Sequence, residues 1–166
     1  MAERDGVDVI LEQWRCERPE LDPSPIGVIG RISRLARELE QRLETVYRRH
    51  GLEPGWHDVL ATLRRSGPPF RLRVTDLTTS MMIGSSGTTK RLDRLERNGL
   101  VARSPDPNDR RGTLIELTEQ GLELIDGVTA AHLANERELL AGLSGAEQEQ
   151  LVELLRKLRL ALPPSP

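Results

Sequence analysis

The stretch that decides the fold runs from residue 84 to residue 121 and reads GSSGTTKRLDRLERNGLVARSPDPNDRRGTLIELTEQG. A glycine- and serine-rich turn is followed by a predicted helix from Thr88 to Asn98, and Gly99 is typical of the residue that ends a helix. Two β-prone runs then flank a loop rich in Pro, Asn, Asp and Gly. They predict a hairpin with a long turn from Ser104 to Gly112.

The segment before this stretch predicts a brief strand at Phe70–Val74 and a short helix from Asp76 to about Met82, capped by Thr75. Helix, tight turn, second helix and hairpin in this order predict a winged helix-turn-helix, in which the second helix enters the DNA major groove. The fold is expected to be mainly α with a small β-hairpin. The predicted DNA contacts lie at the start of the second helix and at the hairpin tip: Ser85, Ser86, Thr88, Thr89, Lys90, Arg94, Arg110 and Arg111.

Longer helices are predicted on both sides of this region. An amphipathic stretch covers 7–16, and apolar residues recur every three or four positions over 26–50. A third helix runs from Pro54 to about Ser66. After the hairpin, Thr118 begins a long helix, and Ser144 with Glu147 forms a capping-box pattern that opens a last helix through about Leu162.

The composition describes a soluble chain of 166 residues with 37% hydrophobic and 30% charged residues. The one cysteine excludes an internal disulfide and a cysteine-cluster metal site. No apolar run is long enough to span a membrane, and the start lacks a signal-peptide pattern, so a cytoplasmic protein without a membrane partner is expected.

The formal net charge of −2 conceals two oppositely charged regions. Eleven basic and five acidic residues lie between Arg64 and Arg111, which gives this region a net charge of +6. From Thr113 onward the net charge is −5. A basic middle is typical of a surface that binds a polyanion, although solvated helix faces would give the same count.

The quoted stretch resembles the recognition helix and wing of the MarR family of bacterial transcription regulators, above all in Asp-Arg-Arg-Gly and the following Leu-Thr-x-x-Gly. The resemblance covers about Ile26 to Leu162. It implies N-terminal helices at 1–50, a winged helix-turn-helix at 51–117, C-terminal dimerisation helices at 118–162 and a disordered tail at 163–166. It also implies a homodimer on a palindromic operator in double-stranded DNA. Arg111 would then enter the minor groove, and Asp109 would brace the wing by pairing with a nearby arginine.

A subgroup of that family responds to urate and related purines, and this chain resembles it in its extra N-terminal helix and in four residues. The implied ligand-binding residues are Trp14, Asp58, Arg91 and Arg103. An aromatic ring, a carboxylate and guanidinium groups suit a planar anionic purine. The expected function is therefore a repressor that releases its operator when a small anionic aromatic effector binds.

Each of these four residues also has a structural explanation. Asp58 favours a helix dipole, Arg91 could contact a phosphate, Arg103 could pair with Asp109, and Trp14 could pack in the core or a dimer interface.

Other functions remain open at this stage. The effector could be a different phenolic or aromatic molecule, or regulation could occur by oxidation at Cys16, which is flanked by Arg15 and Arg18 but is expected to be buried or inert. A winged-helix protein-interaction module that does not bind DNA is an alternative of another class. An enzyme is not expected, because the three histidines lack metal-ligand spacing and no phosphate-binding glycine loop or activated nucleophile is present. No cofactor is expected either.

Overall fold

A computed structural model describes residues 3–82 and 87–163, with the side chain of Arg110 left out. The chain divides into two compact units, residues 1–45 and residues 46–166. The predicted division into four segments stays a prediction, and residues 164–166 of the predicted tail lie outside the described residues.

The first unit contains α1 (Gly6–Glu17) and most of α2 (Ser24–Arg49). Asp5 caps α1 in a capping box with Asp8, so both carboxylates satisfy backbone N–H groups at the helix start. The same carboxylates each lie 2.8 Å from the guanidinium of Arg31 on α2. The two helices are thereby joined at the N-terminal end of α1, where Val7 is buried.

The second unit holds the remaining elements. They are α3 (Trp56–Arg65), β1 (Arg71–Arg73), α4 (Val74–Ser80), α5 (Thr88–Arg97), β2 (Val101–Asp106), β3 (Asp109–Leu117), α6 (Glu119–Leu139) and α7 (Gly145–Ala161). Apolar side chains from α3 to α6 form one core, which includes the fully buried Leu60, Leu77, Leu92, Ile115 and Ile125. The predicted fold class is confirmed: the unit is mainly helical with a small sheet.

The sheet has three antiparallel strands in the order β1-β3-β2, with Leu72 opposite Ile115 and Val101 opposite Leu117. The predicted long turn from Ser104 to Gly112 is wrong. The two strands continue to Asp106 and from Asp109, so only Pro107 and Asn108 separate them. Arg110 and Arg111 accordingly belong to β3 rather than to the tip of the hairpin.

Most predicted helix ends agree with the structure. The Thr118 side chain accepts from Gly121 N, and Ser144 and Glu147 form the expected capping box. Gly99 has a φ of +70°, as a residue after a helix requires. The predicted cap at Thr75 is wrong, because α4 begins at Val74 and its N-cap residue is Arg73.

Several apolar side chains on α2 and α7 face solvent within their own units. No residue of α7 is buried, although this fully described helix carries five leucines. Among residues 3–82 and 87–163, no helix is long and apolar enough to cross a membrane.

Candidate nucleic-acid interface and ligand cleft

The second helix of the predicted helix-turn-helix is α5, which buries one side and exposes the other. Leu92 and Leu95 hold it on the core, while Thr89, Lys90 and Arg94 are exposed. Thr88, predicted as a DNA contact, is instead only 6% exposed, because the first residue of α5 points toward the protein. The predicted contacts Ser85 and Ser86 lie outside the described residues.

The hairpin of β2 and β3, called the wing below, carries an exposed Arg111. The Asp109 carboxylate accepts a hydrogen bond of 2.9 Å from the backbone N–H of Arg111. Arg73 of β1 pairs with a wing carboxylate, since its Nε lies 2.6 Å from Oδ2 of Asp106, whose side chain is 3% exposed. Asp106 therefore links the wing to β1, and the pairing of Asp109 with a nearby arginine stays a prediction.

A cleft opens between the first turns of α5 and the loop that joins α2 to α3. It measures about 200 Å³, and its described lining residues are Glu53, Pro54, Trp56, Gly87, Lys90, Arg91 and Arg94. Arg94 Nη1 lies 2.6 Å from Oε2 of Glu53, which closes one side of the cleft with an ion pair. This region, called the α5 cleft below, combines three cations, one carboxylate and an indole ring.

Arg91 lies in the α5 cleft with its guanidinium against the backbone of Gly55. Gly55 has a φ of +76°, and a Cβ on it would stand 2.5 Å from Nε of Arg91. The Nη1 atom of Arg91 is buried and has no hydrogen-bond partner among the described residues. A buried guanidinium N–H without an acceptor is costly, so this atom is prepared to bind an anionic or carbonyl oxygen.

The other three predicted ligand residues do not line the described part of the α5 cleft. The Asp58 carboxylate is 7% exposed and accepts a hydrogen bond of 3.1 Å from Met82 N. Arg103 pairs with Asp93 at 2.7 Å and with Glu96 at 3.2 Å, so the suggested partner Asp109 is wrong. Trp14 is 45% exposed in the first unit.

The last residues of α2, which belong to the second unit, together with α3 and α6 bring together Tyr47, His57 and His132. Tyr47 stacks on His57 with ring centroids 4.3 Å apart, and its hydroxyl lies 3.1 Å from Nδ1 of His132. Nε2 of His132 faces Glu136 at 3.2 Å, while Nε2 of His57 is buried without a hydrogen-bond partner in the described structure.

Burial is the main cause of the shifted pKa values of His57 and Tyr47. It lowers the pKa of His57 to about 4, helped by repulsion from His132 and opposed by Asp58. Burial also raises the pKa of Tyr47 to about 12, with further contributions from the negative charges of Glu136 and Asp58.

Cys16 is expected from the sequence to be buried or inert; it is exposed, so the first alternative is wrong, and its inertness stays a prediction. In the described ranges, 3–82 and 87–163, no group of three or more His, Cys, Asp or Glu side chains is arranged to hold a metal ion.

Sequence patterns did not reveal Glu53, Gly55, Trp56 and Asp106 as parts of these sites. Glu53 and Trp56 reach α5 only through the tertiary fold, and neither belongs to a motif. The Asp-Pro-Asn-Asp pattern did indicate the turn, but it could not indicate which of its two aspartates meets Arg73.

Comparison with known proteins identifies the family of this winged fold. Residues 50–112 match the MarR family. The HTH-type transcriptional regulator PecS of Dickeya dadantii (strain 3937) is 40% identical over 158 residues, which cover 95% of each chain. The chain belongs to the MarR family of transcriptional regulators.

Solved structures of this family superimpose on the chain. Sco3205 of Streptomyces coelicolor, crystallised in complex with DNA, has a TM-score of 0.77 at 29% sequence identity. The match covers 87% of this chain and 95% of the Sco3205 chain. Bordetella bronchiseptica BpsR, whose DNA binding is regulated by 6-hydroxynicotinic acid, has a TM-score of 0.64 at 27% identity. That match covers 78% of this MarR-family chain and 98% of BpsR.

Proposed function

We propose that this MarR-family regulator is a homodimeric repressor that binds a palindromic operator and releases it when a small anionic aromatic ligand, such as urate or a related purine, occupies the α5 cleft. The observation that carries the proposal is the buried Nη1 of Arg91, which has no hydrogen-bond partner among residues 3–82 and 87–163, on the helix that also exposes Thr89, Lys90 and Arg94. One helix thus offers both an anion-binding group and a DNA-facing surface.

The DNA-binding part of the proposal is supported by charge and shape. The α5 helix is of the size that the major groove admits, and its exposed cations would meet phosphates and base edges. Arg111 on β3 would reach the adjacent minor groove, where narrow A·T-rich tracts attract arginine. DNA-bound Sco3205 shares this fold.

The wing assignment is tested with Arg111→Ala on a duplex selected by the wild-type protein from a random library. A base-reading arginine contributes about 1–3 kcal/mol, so the affinity should fall by about 5–150-fold. Arg156→Ala on α7 makes the same charge change away from the proposed interface and should have little effect. Equal affinities for the two variants, measured by fluorescence anisotropy, would exclude the wing from DNA binding.

The ligand part of the proposal is supported by the chemistry of the α5 cleft. A planar anion would gain a hydrogen bond from Arg91 and further attraction from Lys90 and Arg94. The anion would then compete with DNA for the same cations, and a 10–100-fold loss of DNA affinity requires only about 1.4–2.8 kcal/mol of coupling. Trp14, Asp58 and Arg103 would join the site if ligand binding rearranges the α5 region; this part rests on the family resemblance.

Thermal-shift titration with urate, xanthine, 6-hydroxynicotinic acid and simple phenolic acids tests the ligand. We expect urate or xanthine to stabilise the wild type and the Asp58→Ala/Arg91→Ala pair to lose that stabilisation. Arg97→Ala is the matched control, because Arg97 is exposed on α5 but does not line the described cleft. If only a phenolic acid stabilises the wild type, the ligand is a phenolic acid and not a purine. If the Asp58→Ala/Arg91→Ala variant is stabilised as fully as the wild type, the ligand does not bind in the proposed pocket.

Oxidation at Cys16 is a second candidate for regulation, favoured by the exposure of its thiol. If it operates, peroxide should weaken DNA binding by the wild type but not by Cys16→Ser. An equal response of both proteins would eliminate this route.

A further inference from the structure

The contact between Glu53 and Arg94 joins a loop carboxylate to a predicted DNA contact. Oε2 of Glu53 lies 2.6 Å from Nη1 of Arg94, and the two side chains are 47% and 53% exposed. Glu53 belongs to the loop between α2 and α3, so a segment outside the helix-turn-helix neutralises a cation on its second helix.

This carboxylate is held beside α5 by the fold of its loop. Trp56 N donates a hydrogen bond of 3.1 Å to the carbonyl of Glu53, and the Trp56 side chain is buried in the core. Gly55 lies directly against the guanidinium of Arg91. Gly55 and Trp56, two and three residues after Glu53, are therefore held in place, and Glu53 faces α5 from a fixed backbone position.

We propose that Glu53 is an internal counter-ion that competes with the DNA backbone for Arg94 and thereby limits the affinity of the protein for duplex DNA. The inference rests on the proposed binding of DNA through α5. A phosphate that binds Nη1 of Arg94 must displace the carboxylate, and the negative charge of Glu53 stays close to the DNA in either case. An exposed pair of this kind is weak enough to open, so Glu53 reduces the affinity without preventing binding.

The test compares Glu53→Gln with Glu153→Gln in titrations of a short mixed-sequence duplex at several salt concentrations. Both substitutions remove one negative charge and uncouple one arginine, but Glu153 pairs with Arg156 on α7. Exposed ion pairs contribute about 0.2–1 kcal/mol, so Glu53→Gln should bind about 1.4–5-fold more tightly per protomer. A plot of the logarithm of its DNA affinity against the logarithm of the salt concentration should steepen by about 0.9 for each arginine that is freed to contact a phosphate. Glu153→Gln should match the wild type.

A double-mutant cycle identifies Arg94 as the group through which Glu53 acts. Arg94→Ala should weaken binding, and adding Glu53→Gln to it should give a smaller gain than Glu53→Gln gives alone, because only the direct repulsion between Glu53 and the DNA is then relieved. Equal affinities of Glu53→Gln and Glu153→Gln, or the same gain with and without Arg94, would overturn the inference. If the inference fails in either way but the wild type still binds duplex DNA, the proposed function is unaffected. If the wild type does not bind duplex DNA, both the function and this inference fail.

Discussion

At the residue scale, Gly55 decides where Arg91 lies. Gly51 and Gly55 have nearly the same backbone conformation, with φ values of +74° and +76°, but of the two only Gly55 has atoms within 4 Å of the place where a Cβ would lie. Alanine at either position takes on the strain of a left-handed backbone, about 1–2 kcal/mol. At Gly55 the new methyl group would also collide with the Arg91 guanidinium, whose Nε, Cζ and Nη2 stand within 2.9 Å.

We therefore expect Gly55→Ala to lower the free energy of unfolding by about as much as Gly51→Ala, because the end of the Arg91 side chain can shift, but to reduce ligand binding at the α5 cleft by displacing the guanidinium. Urea denaturation measures the first effect and the thermal-shift titration measures the second. The Gly51 variant supplies the cost of backbone strain alone. If the two variants behave alike in both measurements, Arg91 moves aside freely and its position is not fixed by Gly55.

His57 predicts a pH dependence of stability. Its pKa is about 4 in the folded protein against about 6.5 in an unfolded chain, so the unfolded state binds more protons between these values. The free energy of unfolding should then decrease as the pH falls from about 6.5 to about 4, by at most about 1.4 kcal/mol per pH unit. Above about pH 6.5 His57 is neutral in both states and adds no slope.

The variant His57→Phe keeps a ring for stacking on Tyr47 and removes the titrating group. Because Nε2 of His57 has no partner in the described structure, phenylalanine forfeits no hydrogen bond there. Urea denaturation at neutral and mildly acidic pH should show a smaller acid loss in this variant than in the wild type. His50→Phe, at an exposed position near the end of α2, should keep the wild-type slope.

At the scale of elements, the wing is joined to β1 by an ion pair whose carboxylate is buried and whose arginine is 45% exposed. Asp106 pairs with Arg73 of β1 and also accepts a 2.8 Å hydrogen bond from Asn108 N, while the exposed Asp109 accepts only from Arg111 N in the described contacts. Alanine at 106 would remove both the contact with Arg73 and the hydrogen bond from Asn108 N, so the wing would lose its link to β1 and its turn would lose an acceptor. Asp106→Ala should therefore destabilise the fold and weaken DNA binding more than Asp109→Ala, as measured by denaturation and anisotropy. If Asp109→Ala has the larger effect in both measurements, Asp109 and not Asp106 braces the wing.

The helices could be predicted from the sequence to within about two residues because their end signals are local. Ser144 with Glu147, Thr118 and Gly99 each act on backbone groups within a few positions along the chain. The extent of the wing strands was underestimated for a related reason. Proline, asparagine and aspartate indicate a turn, but cross-strand pairing carries β2 and β3 into that region despite a register irregularity at Pro105 and Asp106.

Residues of the candidate site could be predicted from the sequence only where they belong to a periodic helix or match the family resemblance. The exposure of Lys90 and Arg94 follows from the position of Leu92 and Leu95 on the other side of α5. The contacts of Arg94 with Glu53 and of Arg91 with Gly55 could not be predicted from the sequence, because this loop lies more than thirty positions earlier in the chain. Likewise, Tyr47, His57 and His132 have no spacing that indicates their contact.

At the scale of the whole molecule, charge and apolar surface are distributed for two different partners. The basic region from Arg64 to Arg111 includes α5 and the wing, while the net negative charge of the C-terminal part comes from β3 and α6. The α7 helix is neutral, with three glutamates against two arginines and one lysine, and its exposed leucines suit a protein partner. The α7 helix can thus serve a homodimer interface, while the basic side of the molecule meets the DNA.

This assignment predicts opposite outcomes for two leucines on α7. Leu158 (37% exposed) lies on the apolar stripe with Leu151, Leu154 and Leu155, whereas Leu160 (75% exposed) lies about 200° further around the helix. Leu158→Asp should place a charge in the dimer interface, shift the protein to monomers in light scattering and weaken operator binding, because two half-sites are no longer joined. Leu160→Asp should stay dimeric and bind normally. If the Leu158→Asp variant remains dimeric, α7 is not part of the dimer interface.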